Sequence, residues 1–471
     1  MLACSQQSKK YKASRTKDIS KTFSWDHFLI NNILPENRRI KIERRLELLY
    51  FLSRLAPMVF GFFGAYLCTI YLSQESQGVF FLMLSFVSAQ VVFEGGMYYQ
   101  MQQKVAVLLK RTGNLNDELS NGEVAAFWYK SLVFLFIMSC LYFFLVYSLA
   151  HFMLDKRLDE EVLNLALFFS VISIRFIISG IEAILEGANY RAYVAKTRLV
   201  SSIVNGLALC GFLFNGNGLD SLILSYGISV GLLILIHVSY HGSAISQLLI
   251  LGIRERQKFS WREEMFAVQL KLSISWVFGY MNHQSLVPII FYILGPVSAG
   301  QFGFLMSIVN AVKSLSSTFV AKESPLFGRY IARQQYFKLR SILKNIVKKT
   351  FFLITILIAG SFAGLWLLSF FNSEIFTRIP DLVAATIILL VTYIMQFNLI
   401  LANFVRAHNE EPFMILGIVG GIVIPLSIAL SSYLSGDDVV IAGVILIEWI
   451  ILGIYFPYII AKPYLELLKD R

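Results

Sequence analysis

Apolar runs about twenty residues long recur along the chain, separated by short polar stretches, and each is long enough to cross roughly 30 Å of hydrocarbon as a helix. Twelve spans are predicted, near residues 49–72, 79–103, 127–152, 162–186, 198–214, 219–241, 264–293, 298–322, 350–371, 382–405, 412–433 and 440–461. Two of them are not uniformly apolar. In the eighth, Gly300, Gly303, Ser307, Asn310, Ser314, Ser317 and Ala321 fall within an arc of about 100° at 3.6 residues per turn, with Lys313 at its flank. The seventh places Lys271, Ser275, Gly279 and Asn282 on one stripe, with His283 beside it and Pro288 set to kink the outer end. A small, polar face of this kind either lines a cavity or lets two helices pack closely.

Composition agrees with the pattern. The chain has 471 residues, of which 56% are hydrophobic and 15% charged, and its mean hydropathy of +0.65 places it among polytopic membrane proteins. Of its 41 Lys and Arg, 33 fall on one set of alternate loops together with both termini, 3 on the other set, and 5 inside or at the edge of spans. Basic loops stay cytoplasmic during insertion, so both termini are expected in the cytoplasm. The net charge of +11 follows from this asymmetry and from basic loops lying against anionic headgroups, so no nucleic-acid partner is expected. Three units are expected: a basic cytoplasmic segment 1–48, a first lobe 49–250 and a second lobe 251–471. IKIERRLELLYF reads as an amphipathic helix feeding the first span. Cys4 lies in the cytoplasmic segment without the apolar run a lipoprotein site needs, the other three cysteines lie in spans, and no disulfide framework follows.

The halves repeat. SQGVFFLMLSF (76–86) and SAGQFGFLMSI (298–308) share Ser76/Ser298, Gly78/Gly300, Phe80/Phe302 and Ser85/Ser307 at one offset, each opening the second helix of its half. Six spans per half give parallel halves. The fold expected is an all-α membrane protein of twelve helices in two parallel six-helix lobes around a central cavity.

Charge at depth is the chemical signal. Arg175 lies roughly 18 Å from either end of its span by rise per residue, where a charge costs at least roughly 2.5 to 3.5 kcal/mol. Either a wet cavity holding an anionic substrate or an ion pair with Glu94 compensates it, and the two are compatible. Arg54, Lys271 and Lys313 join it, against Glu94, Glu182 and Glu448. A basic lumen suits phosphate, which Arg pairs bidentately and Lys meets as a point charge.

Enzyme motifs fail in context. GISVG (227–231) matches the G-x-S-x-G elbow but sits mid-span instead of on a strand-turn-helix. His237 and His241 have helical spacing for a metal, yet no carboxylate or cysteine accompanies them in sequence, and a polar helix end accounts for them. No phosphate-binding G-x-x-x-x-G-K-[ST] occurs, and the outer loops are short. No enzyme activity, cofactor or metal is expected.

The run from FSWREEMFAVQLKLSISWVFGYMNHQ to AKESPLFGRYIA resembles bacterial oligosaccharide flippases of the multidrug/oligosaccharidyl-lipid/polysaccharide exporter superfamily. Gln269, Lys271, Ser275, Trp276, Gly279, Tyr280, Pro288, Ala299, Gly300, Gln301, Ser307, Asn310, Lys322 and Pro325 carry the likeness, and VRAHNEEPF (405–413) resembles the loop between the tenth and eleventh helices. The 48-residue basic segment is longer than these proteins usually have. The resemblance implies movement of an undecaprenyl-pyrophosphate-linked oligosaccharide from the inner to the outer leaflet, driven by H+ or Na+, for O-antigen, capsule or a related glycan. Substrate-binding roles then fall on Arg54, Arg175, Lys271, Asn282, Asn310 and Lys313, and ion coupling on Glu94 and Glu182, with the lipid bilayer and other glycan-assembly membrane proteins as partners. The rivals are a cation-coupled small-molecule exporter of the same superfamily and a non-transporting scaffold in a glycan-assembly complex.

Overall fold

The computed structural model describes residues 36–110, 122–154, 162–188, 190–371, 377–408 and 412–467. Among these no strand occurs. The first half contains α1 (Glu36–Tyr71), α2 (Gln74–Ser88), α3 (Gln90–Glu94), α4 (Met97–Lys110), α5 (Gly122–Leu154), α6 (Val162–Gly187), α7 (Arg191–Phe214) and α8 (Asp220–Arg254). The short α9 (Trp261–Glu264) leads into the second half: α10 (Phe266–Gln284), α11 (Leu286–Leu294), α12 (Pro296–Ala332), α13 (Tyr336–Phe371), α14 (Leu382–Arg406), α15 (Phe413–Leu434), α16 (Asp438–Ile450) and α17 (Phe456–Glu466), the last two joined by one π-helical turn at Ile451–Tyr455. Most of the expected basic N-terminal segment, with Cys4, lies outside the described residues.

Among the described residues eleven helices are long and apolar enough to span a membrane, and the protein is a multi-pass membrane protein. The twelfth expected span, residues 264–293, is present as α10 and α11, which break at Ser285. The kink expected at Pro288 thus appears three residues earlier. Proline lacks the N–H that would bond the carbonyl four residues back, which is Gln284, and the helix ends at that carbonyl. The second span also departs from its expected course: it breaks at Gly95 and Gly96, whose φ values of 54° and 78° are the left-handed conformation that glycine adopts without steric cost.

How the lobes join is legible in the packing. One core cluster runs across both halves at the end bearing the charge-poor loops, combining Phe80, Phe81 and Phe169 with Leu286, Phe291, Phe302 and Leu389. At the opposite end the core divides. Phe127, Trp128, Phe176 and Met101 form one cluster confined to residues 97–265, while Phe327, Phe404, Val405 and Phe413 form another confined to 320–465. The hydrophobic cores of the halves are therefore merged at one end and separate at the other, where α10 still touches the first half at Gly95 and Gly96.

Candidate functional site

At the welded end the repeated motifs meet each other. A Cβ placed on Gly78 would stand 1.9 Å from the Pro296 carbonyl oxygen, and one on Gly300 would stand 3.0 Å from the Gly78 nitrogen, so backbone lies directly on backbone. Buried Gln77 closes the seam: its Nε2 donates to the Gly300 carbonyl at 3.0 Å and to the Arg378 carbonyl at 3.3 Å, and Arg378 Nη1 donates back to Gln77 Oε1 at 3.3 Å. Gln74 and Gln301 add bonds to Thr377 Oγ1 and to its carbonyl. These groups come from both halves, because the small residues of α2 and α12 let the two helices approach to backbone contact.

Beneath the seam lies a cavity of about 390 Å³ between the lobes. The first half contributes Pro57, Met58, Gly61 and Phe62 of α1, Phe81, Ser85 and Ser88 of α2, and Tyr226 of α8; the second contributes His283, Gln284, Leu286 and Val287 about the α10–α11 break, and Gly303, Ser307, Asn310 and Ser314 of α12. The polar arc read on the eighth span is this wall. Tyr280 ties the two sides by donating its hydroxyl to the Ser85 carbonyl at 3.1 Å. A second cavity of about 200 Å³ lies inside the second lobe, lined among others by Ser275, Gly279, Asn282, His283, Asn398, Arg406 and Trp449. Neither lining contains a carboxylate. The break at Gly95–Gly96 is held by α10, where Gln269 Nε2 and Ser273 Oγ both donate to the Gly95 carbonyl, at 2.9 and 3.3 Å, capping an otherwise orphaned helix end.

The deep charges of the first half form their own cluster. Arg175 Nη1 lies 3.4 Å from Glu182 Oε2, Arg198 Nε donates to the same oxygen at 3.0 Å, and Arg198 Nη1 donates to Glu186 Oε1 at 2.6 Å. His237 Nε2 stands 3.6 Å from Glu182 Oε1, and the Tyr193 hydroxyl meets His237 Nδ1 at 3.1 Å. The partner of Arg175 is therefore Glu182, and the alternative of an ion pair with Glu94 gives way to it. Glu182 follows Arg175 by seven residues, two helical turns on the same face, and a fully buried carboxylate at 0% exposure requires cations around it.

The other candidates are dispersed. Asn310 lines the interlobe cavity and Asn282 the second-lobe cavity, where its Nδ2 donates to the Gly417 carbonyl at 3.2 Å. Arg54 and Lys271 are exposed and line neither. Lys313 is half-buried on the flank of α12, outside both linings, its carbonyl accepting from Gln396 Nε2 at 3.1 Å. Glu94 is half-buried beside the glycine break, with no ion-pair partner among the described residues. Sequence reasoning missed Arg198, which sits at the edge of its span and counts as a loop charge, and Tyr193, and it assigned His237 to a polar helix end; Tyr193 and His237 meet Glu182 only when α7 and α8 pack on α6.

No protein-family model matches the chain, and no curated protein sequence does. The likeness lies in the structure. An inward-facing multidrug resistance MATE family transporter of the MOP superfamily matches with a TM-score of 0.61 at 14% identity, covering 90% of this chain and 95% of that one. The chain shares its fold with transporters of this kind. The MATE multidrug transporter DinF-BH, solved as a complex, matches with a TM-score of 0.60 at 16% identity over 90% of this chain and 96% of its own. An outward-facing MATE family transporter of the same superfamily gives 0.53 at 15% identity over 89% and 96%. The MATE fold accounts for the lobes and the cleft between them.

Proposed function

We propose that this chain is an alternating-access transporter whose substrate is a lipid-linked oligosaccharide, carried from the cytoplasmic to the outer leaflet of a bacterial inner membrane. The observation that carries the transport reading is the divided core: the lobes share packing above the interlobe cavity and pack separately below it. With the charge asymmetry setting the welded end outward, this is a cleft closed to the outside. Opening outward requires parting Gly78 from Pro296 and Gln77 from Arg378, groups that come from opposite lobes, so rocking the lobes exchanges one access for the other.

The glycan reading is supported by the resemblance of residues 259–332 to oligosaccharide flippases and by the cavity lining. Asn310, the serines and the rings of Phe62, Phe81 and Tyr226 offer amide and hydroxyl hydrogen bonds beside apolar faces, chemistry that fits sugars and an isoprenoid chain. The Arg175 cation, balanced by Glu182, contributes less to substrate charge than its depth alone implied, and Lys313 stands on the helix that supplies Asn310 and Ser314 to the cavity wall. The experiment is deletion of the gene in its host followed by analysis of the inner leaflet: accumulation of an undecaprenyl-pyrophosphate-linked oligosaccharide supports the reading, and normal surface glycan with no such accumulation removes it.

A second reading, export of a small molecule, is favoured by the likeness to structures of proteins named as multidrug transporters. Organic cations call for acidic walls, and the cavity linings carry no carboxylate. Resistance profiles of a strain lacking the protein separate the two: unchanged drug sensitivity with defective glycan leaves the flippase reading alone.

A further inference from the structure

Inside the first lobe, away from the cavity, Glu182 and His237 face each other across a hydrogen bond that is not made. Glu182 Oε1 and His237 Nε2 are 3.6 Å apart on side chains that are 0% and 6% exposed. Both atoms are buried and lack a hydrogen-bond partner. Buried polar atoms in folded proteins are almost all satisfied, and 3.6 Å lies just beyond hydrogen-bonding range. The far side of each group is fixed, Glu182 Oε2 by Arg198 and His237 Nδ1 by the Tyr193 hydroxyl.

We propose that Glu182 and His237 together form a proton-binding site, with Tyr193 as the positioning residue that sets the histidine tautomer. In the empty state Nδ1–H donates to the Tyr193 oxygen, leaving the bare Nε2 lone pair opposite the carboxylate, which holds the pair apart. An incoming proton bonds to Nε2, giving an imidazolium whose Nε2–H donates to Glu182 Oε1; the proton leaves by the reverse step, and no other bond changes. For its role as the coupling ion the site rests on the transporter reading above. The proton binding itself does not.

The surroundings fit a switch. On α6, Arg175 and Glu186 flank Glu182; α7 brings Arg198 and Tyr193; α8 brings His241, whose ring edge packs on Tyr193 at 4.6 Å between centroids. From α4, Tyr98 reaches the same helix and donates to the Phe176 carbonyl, and from α1, Tyr50 and Arg54 reach only as far as Glu186. On the α5 side Ser139 donates to the Ser173 carbonyl. Arg191 of α7 and Arg54 act on Glu186 as well, and Glu94 reaches Tyr98, so a proton on His237 adds a positive charge that competes with Arg175 for Glu182. Arg175 lies within electrostatic reach of Tyr226, which lines the interlobe cavity.

The test is proton binding by the purified, full-length, substrate-free protein in detergent, read with an indicator dye after a pH jump. Wild type is expected to take up one proton per chain more than His237→Gln across the jump. Tyr193→Phe keeps both partners and is expected to change the proton affinity about tenfold, the effect of one lost hydrogen bond. Glu182→Gln is expected to lower it by tenfold or more, which a histidine titrating on its own would not show. Equal proton counts in wild type and His237→Gln overturn the proposal, and so does an unchanged affinity in Tyr193→Phe should His237→Gln fail to fold. Because no substrate enters the measurement, these outcomes are independent of whether the chain transports a glycan.

Discussion

Gly78 lies against Pro296 so closely that a single added carbon would meet the proline carbonyl oxygen at 1.9 Å. Each belongs to a different lobe, and each sits at the start of a helix that opens a repeated motif. On the proposed alternating-access reading their contact exists only while the lobes are shut at this end, so the side chain absent at Gly78 is a requirement of one conformation. Gly78→Ala is expected to disfavour that conformation at least about tenfold, since the colliding atom is backbone. Labelling of Asn310→Cys from outside by a membrane-impermeant thiol reagent, in a background lacking the native cysteines, is expected to rise. Unchanged labelling would mean the seam does not control access.

Gln77 and Arg378 clasp the same seam with three hydrogen bonds, two of them to backbone carbonyls. Gln77→Ala leaves those acceptors unpaired at a cost of about 1–3 kcal/mol, and the same labelling assay is expected to move in the same direction as for Gly78→Ala. Conversely, oxidising a Gln74→Cys, Thr377→Cys pair is expected to lock the protein outer-closed, with transport restored by reductant.

Glu182 holds two guanidinium groups in a buried place. Glu182→Gln strands Arg175 and leaves Arg198 only Glu186, an effect of up to about 3–5 kcal/mol, and is expected to lower the thermal midpoint in detergent strongly. Glu186→Gln, which removes one partner of the partly exposed Arg198, is expected to lower it much less. Adding Arg175→Gln to Glu182→Gln is expected to recover part of the loss, because the stranded charge goes with it.

Asn310 projects from the α12 wall into the interlobe cavity, whereas Lys313 stands outside its lining. Asn310→Leu is expected to reduce surface glycan in a complementation assay more than Lys313→Ala, at equal protein level in the membrane. The reverse order would return the substrate site to the basic residues.

Much of the fold was legible because the bilayer imposes it. A chain that must satisfy its backbone within hydrocarbon forms helices of a fixed length, and the apolar runs count them. The polar arc from Gly303 to Ser314 was legible too, since helical periodicity places those residues on one face. Its function as a cavity wall was not, because small residues pack as readily as they line. The deep cations misled for a related reason. Depth along a span is a one-dimensional quantity, and it shows that Arg175 needs compensation without showing from where.

The sequence by itself determined the all-helical membrane fold, its internal repeat, the loop-charge asymmetry and the glycine pair that the seam requires, all of which depend on local period, length and composition. Only the tertiary structure decided that Gly78 meets Pro296, that the core divides at one end, and that Tyr193 and His237 converge on Glu182. Those relations join residues on different helices, and helix packing angles and rotations follow from side-chain fit across many contacts at once, which no linear spacing encodes.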